Sequence, residues 1–106
     1  MSKKKQIGLK AIDNIQLFIN YLLTLGFLVL KDKTFETIFF KKQDDGTIYT
    51  ITLHREVGYY FLKLQINDNV ESDYFENNSK TEFIYNLSKF LKYLHVKHKT
   101  VFFKER

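Results

Sequence analysis

Three segments between residues 35 and 66 alternate apolar with polar side chains, residue by residue. They span residues 35–42, 47–55 and 59–66, and they are rich in Ile, Thr, Tyr and Phe, which suit a pleated, half-buried surface. Asp44-Asp45-Gly46 separates the first two segments, and Val57-Gly58 separates the last two. Glycine accepts the positive φ of a tight hairpin turn. The pattern therefore predicts a three-stranded antiparallel meander.

The predicted meander has two faces of different character, because successive side chains of a strand point to opposite sides. The face expected to form the core is almost wholly apolar and carries Ile38, Phe40, Tyr49, Ile51, Leu53, Tyr60, Leu62, Leu64 and Ile66. The opposite face mixes aromatic with polar side chains and carries Phe35, Thr37, Phe39, Lys41, Ile48, Thr50, Thr52, His54, Tyr59, Phe61, Lys63 and Gln65.

Two-residue turns would arrange the mixed face in cross-strand rows. The predicted rows are Thr37–His54–Phe61 and Phe39–Thr52–Lys63. A clustered, exposed aromatic patch of this kind marks an interface. The alternative is that the tail or a loop covers Phe39 and Phe61, which would make them a satellite of the core.

A helical repeat of apolar residues precedes the meander, over residues 7–25. Asp13 is expected to begin the helix in a capping box, unless the helix starts nearer Gly8. Gly26 is expected to end it as the left-handed residue of a C-terminal cap. Residues 27–31 then form a short extended piece, either free or added to the sheet as an edge strand.

A second helix is predicted after the meander. Residues 67–78 carry four acidic and no basic side chains and are interpreted as a solvated loop. Ser79 and Glu82 then form a capping box, followed by an apolar stripe of Phe83, Ile84, Leu87, Phe90, Leu91 and Leu94. Residues 96–104 either continue this helix or form a final strand or tail, and their β-branched and aromatic residues favour the latter pair.

The expected fold class is therefore α+β, in the order α-β-β-β-α, with the meander packed against two flanking helices. The 106 residues suit a single domain, with a basic, frayed lead-in at 1–6 and a basic tail at 97–106. Neither a signal peptide nor an apolar run long enough to span a bilayer is visible. A cytoplasmic protein with no membrane partner is expected.

Candidate chemistry is sparse. The chain has no Cys, which excludes disulfides and thiolate metal sites. His95 and His98 are spaced to share a metal on a helix, but two ligands among lysines make a poor site. His54 has no carboxylate or nucleophile in its predicted row to orient it. No catalytic, cofactor-binding or metal-binding residue is predicted, and the protein is not expected to be an enzyme.

The formal net charge of +5 suggests an anionic partner, but its residue types weaken that inference. All but two of the 17 basic residues are lysine, the exceptions being Arg55 and Arg106. A lysine bias beside abundant Asn, Ile, Phe and Tyr follows from an A+T-rich genome, whereas dedicated phosphate readers favour arginine. The acidic segment 68–76 and the basic segment 89–106 could steer a partner or pair two copies as a homodimer.

The sequence thus predicts a small, non-enzymatic binding protein that docks on another macromolecule, with a protein partner favoured over nucleic acid. Its composition is typical of phage or mobile-element accessory proteins that inhibit or modulate a host nucleic-acid-processing protein. The alternative is a nucleic-acid-binding module that stacks bases on sheet aromatics and uses its basic tail. The predicted partner-binding residues are Phe39, Lys41, His54, Tyr59, Phe61, Lys63, Lys97, Lys99 and Lys104.

Overall fold

A computed structural model describes residues 14–70 and 75–97. Its elements, in chain order, are α1 (Ile15–Thr24), β1 (Leu28–Asp32), β2 (Glu36–Lys42), β3 (Ile48–Glu56), β4 (Tyr59–Ile66), β5 (Asn69–Val70), β6 (Phe75–Asn77) and α2 (Lys80–Lys97). The α+β class and the central meander, here β2 to β4, are confirmed. For residues 96 and 97 the favoured strand or tail is wrong, because α2 includes both. The rest of the predicted segment, residues 98–104, lies outside the described residues.

The strands of the described residues form one six-stranded antiparallel sheet. β1 is the edge strand beside β2, as one of the two expectations for residues 27–31 had it. β5 and β6 both pair with β4 on the far side. They correct the prediction of a plain loop over 67–78: Asn67 adopts a left-handed φ of 58°, which allows β4 to turn tightly into β5.

Local hydrogen bonds explain where α1 begins and ends. The side chain of Asn14 caps its N-terminus by accepting from the backbone N–H of Leu17 at 2.8 Å, so the cap lies one residue after the predicted Asp13, which is outside the described residues. At the other end Gly26, with φ 98°, ends the helix as predicted. The backbone N–H of Phe27 reaches the carbonyl of Leu22 at 3.2 Å, the bond that defines a Schellman cap.

Ser79 caps the N-terminus of α2 as predicted, since its Oγ accepts from the backbone N–H of Glu82 at 3.3 Å. Both helices pack on the same face of the sheet and against each other, with the Phe18 and Phe90 rings 6.1 Å apart. The resulting core contains Ile15, Phe18, Leu22, Phe27, Phe39, Tyr49, Ile51, Leu53, Tyr60, Leu62, Leu64, Phe83, Leu87, Phe90, Leu91 and Leu94. The two helices therefore form one layer, and no other described element covers the opposite sheet face, although Thr52 near its centre is only 6% exposed.

The β2–β3 connection corrects the predicted register. The last pair of this hairpin is Lys42 with Ile48, and Gly46 takes a left-handed φ of 94°. The N–H of Gly46 bonds the carbonyl of Gln43 at 3.0 Å, and the N–H of Gln43 bonds the carbonyl of Thr47 at 2.8 Å. This is a turn followed by a glycine bulge, and it shifts the pairing by one residue relative to a two-residue turn.

A shift of one residue exchanges the two faces of a strand, and β2 shows that exchange. Thr37 and Phe39 are buried on the helix-covered side, whereas both were predicted on the opposite face. Ile38 and Phe40, predicted in the core, lie on the open side and are half-buried. β3 and β4 keep the predicted faces, because Val57-Gly58 is the expected two-residue turn between Glu56 and Tyr59.

Candidate functional site

The open side of the sheet, which we call the outer face, is the candidate site. Its side chains follow from the observed cross-strand pairs and form five rows across the strands. Two central rows matter most. The acidic row contains Glu36, His54, Phe61 and Glu76, and the lysine row contains Lys31, Ile38, Thr52 and Lys63.

The remaining rows extend the outer face toward both ends of the strands. Beyond the acidic row lie Glu56 and Tyr59, which pair with each other. Beyond the lysine row lie Leu28, Phe40, Thr50 and Gln65, followed by Lys42 and Ile48. Leu28 is 59% exposed and Tyr59 is 40% exposed, so apolar and aromatic surface reaches solvent on this side of the sheet.

An aromatic cluster of Phe35, His54, Tyr59 and Phe61 occupies one end of the outer face. The imidazole of His54 is stacked on the Phe61 ring, with centroids 5.2 Å apart and planes 4° from parallel. The Tyr59 ring meets the imidazole edge-on at 5.2 Å, and Phe35 lies 6.4 Å away on another side. Mutual stacking holds these rings in place, so the cluster is a preformed surface.

A carboxylate orients the imidazole of His54, although the predicted cross-strand row of His54 contained no carboxylate. Nε2 of His54 lies 3.1 Å from Oε1 of Glu56. His54 and Glu56 are two apart on β3 and therefore share a face. The predicted rows list only neighbours on adjacent strands, so they do not include this contact along one strand. The bulge also places Glu36 opposite His54. Together with Glu76, these glutamates give the aromatic cluster an acidic border.

The charges of the outer face are divided between its two halves. Glu36, Glu56 and Glu76 lie in the acidic row and in the row beyond it. The lysines lie in the lysine row and toward the opposite strand ends; they are Lys31, Lys42 and Lys63. The face is consequently balanced in charge but polarised along the strand direction.

The predicted partner-binding residues are only partly brought together. His54, Tyr59, Phe61 and Lys63 lie on the outer face as expected. Phe39 does not: it is 0% exposed and belongs to the core, because the glycine bulge turns it toward the helices.

The predicted lysines are scattered. Lys41 also lies on the helix side, where its amine approaches Gly26 closely enough that a Cβ there would be 2.6 Å from Nζ. Lys97 is exposed at the C-terminal end of α2, so it belongs to a helix and not to the outer face of the sheet. Lys99 and Lys104 lie outside the described residues, as do His98 and most of the basic tail.

Sequence reasoning missed several outer-face residues, above all Glu36, Ile38 and Phe40. The signal that could have found them is the pair Gly46-Thr47 after two aspartates, since a type I turn followed by a left-handed glycine is a common alternative to a two-residue turn. Lys31 and Leu28 were missed because only the pairing with β2 assigns their faces.

Two shifted pKa values belong to other parts of the molecule. Burial raises the pKa of the Tyr21 phenol on α1. Hydrogen bonds from the backbone N–H and the side chain of Thr47 lower the pKa of Asp45 in the β2–β3 loop. A partly buried chain of polar groups lies on the helix side and is centred on the buried Thr37: Arg55 donates to Thr37 Oγ1 at 3.1 Å, and Thr37 donates to Asp32 at 2.9 Å.

The described residues contain no group of three or more His, Asp or Glu side chains arranged to hold a metal ion. None of their helices is long and apolar enough to cross a membrane. Comparisons of the chain with family models, with curated proteins and with solved structures gave no match. The outer face itself is therefore the basis for assigning a function.

Proposed function

We propose that this chain is a non-enzymatic binding protein that docks on another protein through the outer face of its sheet. The observation that supports the proposal is the aromatic cluster of Phe35, His54, Tyr59 and Phe61, which is preformed on a face that the helices leave open. Aromatic side chains dominate the energetics of protein interfaces, and solvated sheet faces rarely concentrate them in one place.

The border of the cluster favours a protein over a nucleic acid. A single-stranded nucleic acid whose bases stacked on Phe61 or Tyr59 would carry its phosphates past the glutamates of this border. Negative phosphates and carboxylates repel each other. The predicted stacking residue Phe39 is buried, and Lys41 faces the helices. Two of the features proposed for nucleic-acid binding are thus missing from the outer face.

The identity of the partner stays a prediction. Composition alone suggests a phage or mobile-element accessory protein that inhibits or modulates a host nucleic-acid-processing protein. Docking is compatible with that role, because an inhibitor of this kind needs a complementary surface and no chemistry of its own.

Affinity capture with face variants tests the proposal. The wild-type chain, Phe61→Ser and a control, Tyr85→Ser, serve as baits in lysate treated with nuclease. Tyr85 is 65% exposed on α2, so the control Tyr85→Ser removes an exposed aromatic side chain that lies outside the outer face. We expect a discrete protein that wild type and Tyr85→Ser retain and Phe61→Ser loses, with far-UV circular dichroism showing that all three fold. Equal retention by all three baits would contradict the proposal.

Labelled single-stranded and double-stranded DNA and RNA test the alternative. In fluorescence anisotropy across a salt series, we expect wild type and Phe61→Ser to give the same result, because the outer face does not bind nucleic acid in this proposal. Micromolar binding that falls steeply with salt and depends on Phe61 would instead establish the nucleic-acid function.

A further inference from the structure

We propose that the outer face also binds the outer face of a second copy of this chain, forming a symmetric face-to-face dimer. The inference rests on the proposed function because it concerns the same surface, and it adds a form of regulation. A partner protein would have to displace the second copy, so the concentration of the chain would control how much of the docking surface is free.

The row structure defines the symmetry. In an isologous dimer, the same patch of both copies meets around a two-fold axis. We place that axis across the strands, between the acidic row and the lysine row. The rotation then lays the acidic row of one copy over the lysine row of the other, while each strand lies over its own counterpart. Two sheets stack in this way about 10 Å apart with roughly aligned strands.

Charges match in this arrangement. Glu36 on β2 lies next to Lys31 of the second copy on the neighbouring β1, and Glu76 on β6 lies next to Lys63 of the second copy on β4. Each contact occurs twice because of the symmetry. A parallel stacking that superimposed equivalent rows would set carboxylate over carboxylate and amine over amine, at a cost. The polarisation of the face therefore selects one orientation.

The uncharged positions match as well. Phe61 of the acidic row lies over the stem of Lys63, and His54 lies over Thr52. Tyr59 in the row beyond meets the row of Gln65, which offers its phenol a polar partner. At the centre, Phe61 meets the aliphatic stem of Lys63, and the stem of Glu36 lies over Ile38 while its carboxylate reaches toward Lys31 of the second copy.

The face is large enough for a dimer. The distance from β1 to β6 spans four strand spacings, about 20 Å, and the nine residues of β3 extend over about 30 Å. The edge strands β1 and β6 are shorter, with five and three residues, so the flat area is at most about 600 Å² per partner, the size of a weak or transient interface that a partner protein can displace. A second copy would cover most of the outer face, including the aromatic cluster.

Paired charge reversals test the dimer in the purified full-length chain. One variant, E36K/E76K, makes the acidic row basic, and the other, K31E/K63E, makes the lysine row acidic. Each variant alone sets like charges against each other, so we expect dimerisation at least about tenfold weaker than for wild type. An equimolar mixture restores every opposite pair, and we expect it to recover the dimer as a heterodimer. Both variants stay positively charged overall, so net attraction cannot produce this recovery.

Sedimentation equilibrium over a concentration series provides the readout. The matched control is K89E/K92E, which removes the same charge as K31E/K63E but from exposed positions on α2; it should dimerise like wild type. A wild-type chain that stays monomeric up to about 0.5 mM, or a mixture that fails to recover, would overturn the inference. Failure of the dimer can be distinguished from failure of the proposed function, because the affinity capture compares Phe61→Ser with wild type whether or not wild type forms a dimer.

Discussion

Substituting Phe39 and Phe40 separately tests the assignment of faces in β2. Phe39 is completely buried beneath the helices, whereas its neighbour Phe40 is half-buried on the outer face. Truncation of a fully buried Phe to Ala costs about 3–5 kcal/mol, because apolar contacts are lost and a cavity remains. The partly solvated Phe40 has less surface to lose, so Phe40→Ala should cost about 1 kcal/mol.

Urea unfolding followed by far-UV circular dichroism measures both values, and dichroism is suitable because the chain has no Trp. Total stabilities of small domains are about 5–15 kcal/mol, so Phe39→Ala alone could abolish folding. Phe39→Leu is therefore included, with an expected cost of about 1–1.5 kcal/mol, above that of Phe40→Leu.

The order of the two sites carries the test. If the Phe40 variants lose as much free energy of unfolding as the Phe39 variants, or more, the β2–β3 hairpin has the register of a two-residue turn. Phe39 would then face outward, and the rows from which the outer face is built would be wrong.

Three further substitutions probe local features. Gly26→Ala should lower the free energy of unfolding by about 1–2 kcal/mol, because alanine resists a left-handed φ, and thermal unfolding measures the loss. Thr37→Val should cost about 1–2 kcal/mol by leaving Arg55 without its buried hydroxyl partner, whereas Thr37→Ser should cost less in the same urea assay. The pKa of Asp45 is lowered in the folded chain, so its contribution to stability is present above its ordinary pKa and is lost as pH falls through the lowered value. Asp45→Asn should therefore reduce how much the free energy of unfolding falls between neutral and acid pH. An Asp45 carboxyl that titrates at its ordinary pKa by NMR would contradict this.

Sequence patterns predict much of this fold because its local signals agree with its tertiary packing. Gly26 and Ser79 mark helix ends correctly, and the apolar stripe of α2 packs where expected. The two-residue turn at Val57-Gly58 assigns both faces of β3 and β4. In each case one short stretch of sequence determines the geometry, and no distant contact is needed to interpret it.

The errors concern features that short stretches leave undetermined. Asp45-Gly46 is compatible with a two-residue turn or with a turn plus bulge, and the choice moves Phe39 from the surface to the core. Burial of a large aromatic beneath the helices decides in favour of the bulge, and alternation along β2 cannot reveal it. β5 and β6 are too short to show a pattern at all, so Glu76 could not be assigned to the aromatic cluster.

The central claim is that the outer face contacts a protein, and site-specific photo-crosslinking tests it most directly. A benzophenone amino acid replaces Tyr59 on the outer face or Tyr85 on α2; both tyrosines are exposed, at 40% and 65%. Irradiation in the native cells should yield a discrete, nuclease-resistant adduct with a protein other than the chain itself from position 59, and none from position 85. Adducts from position 85 alone, or an adduct from position 59 that nuclease destroys, would contradict the account.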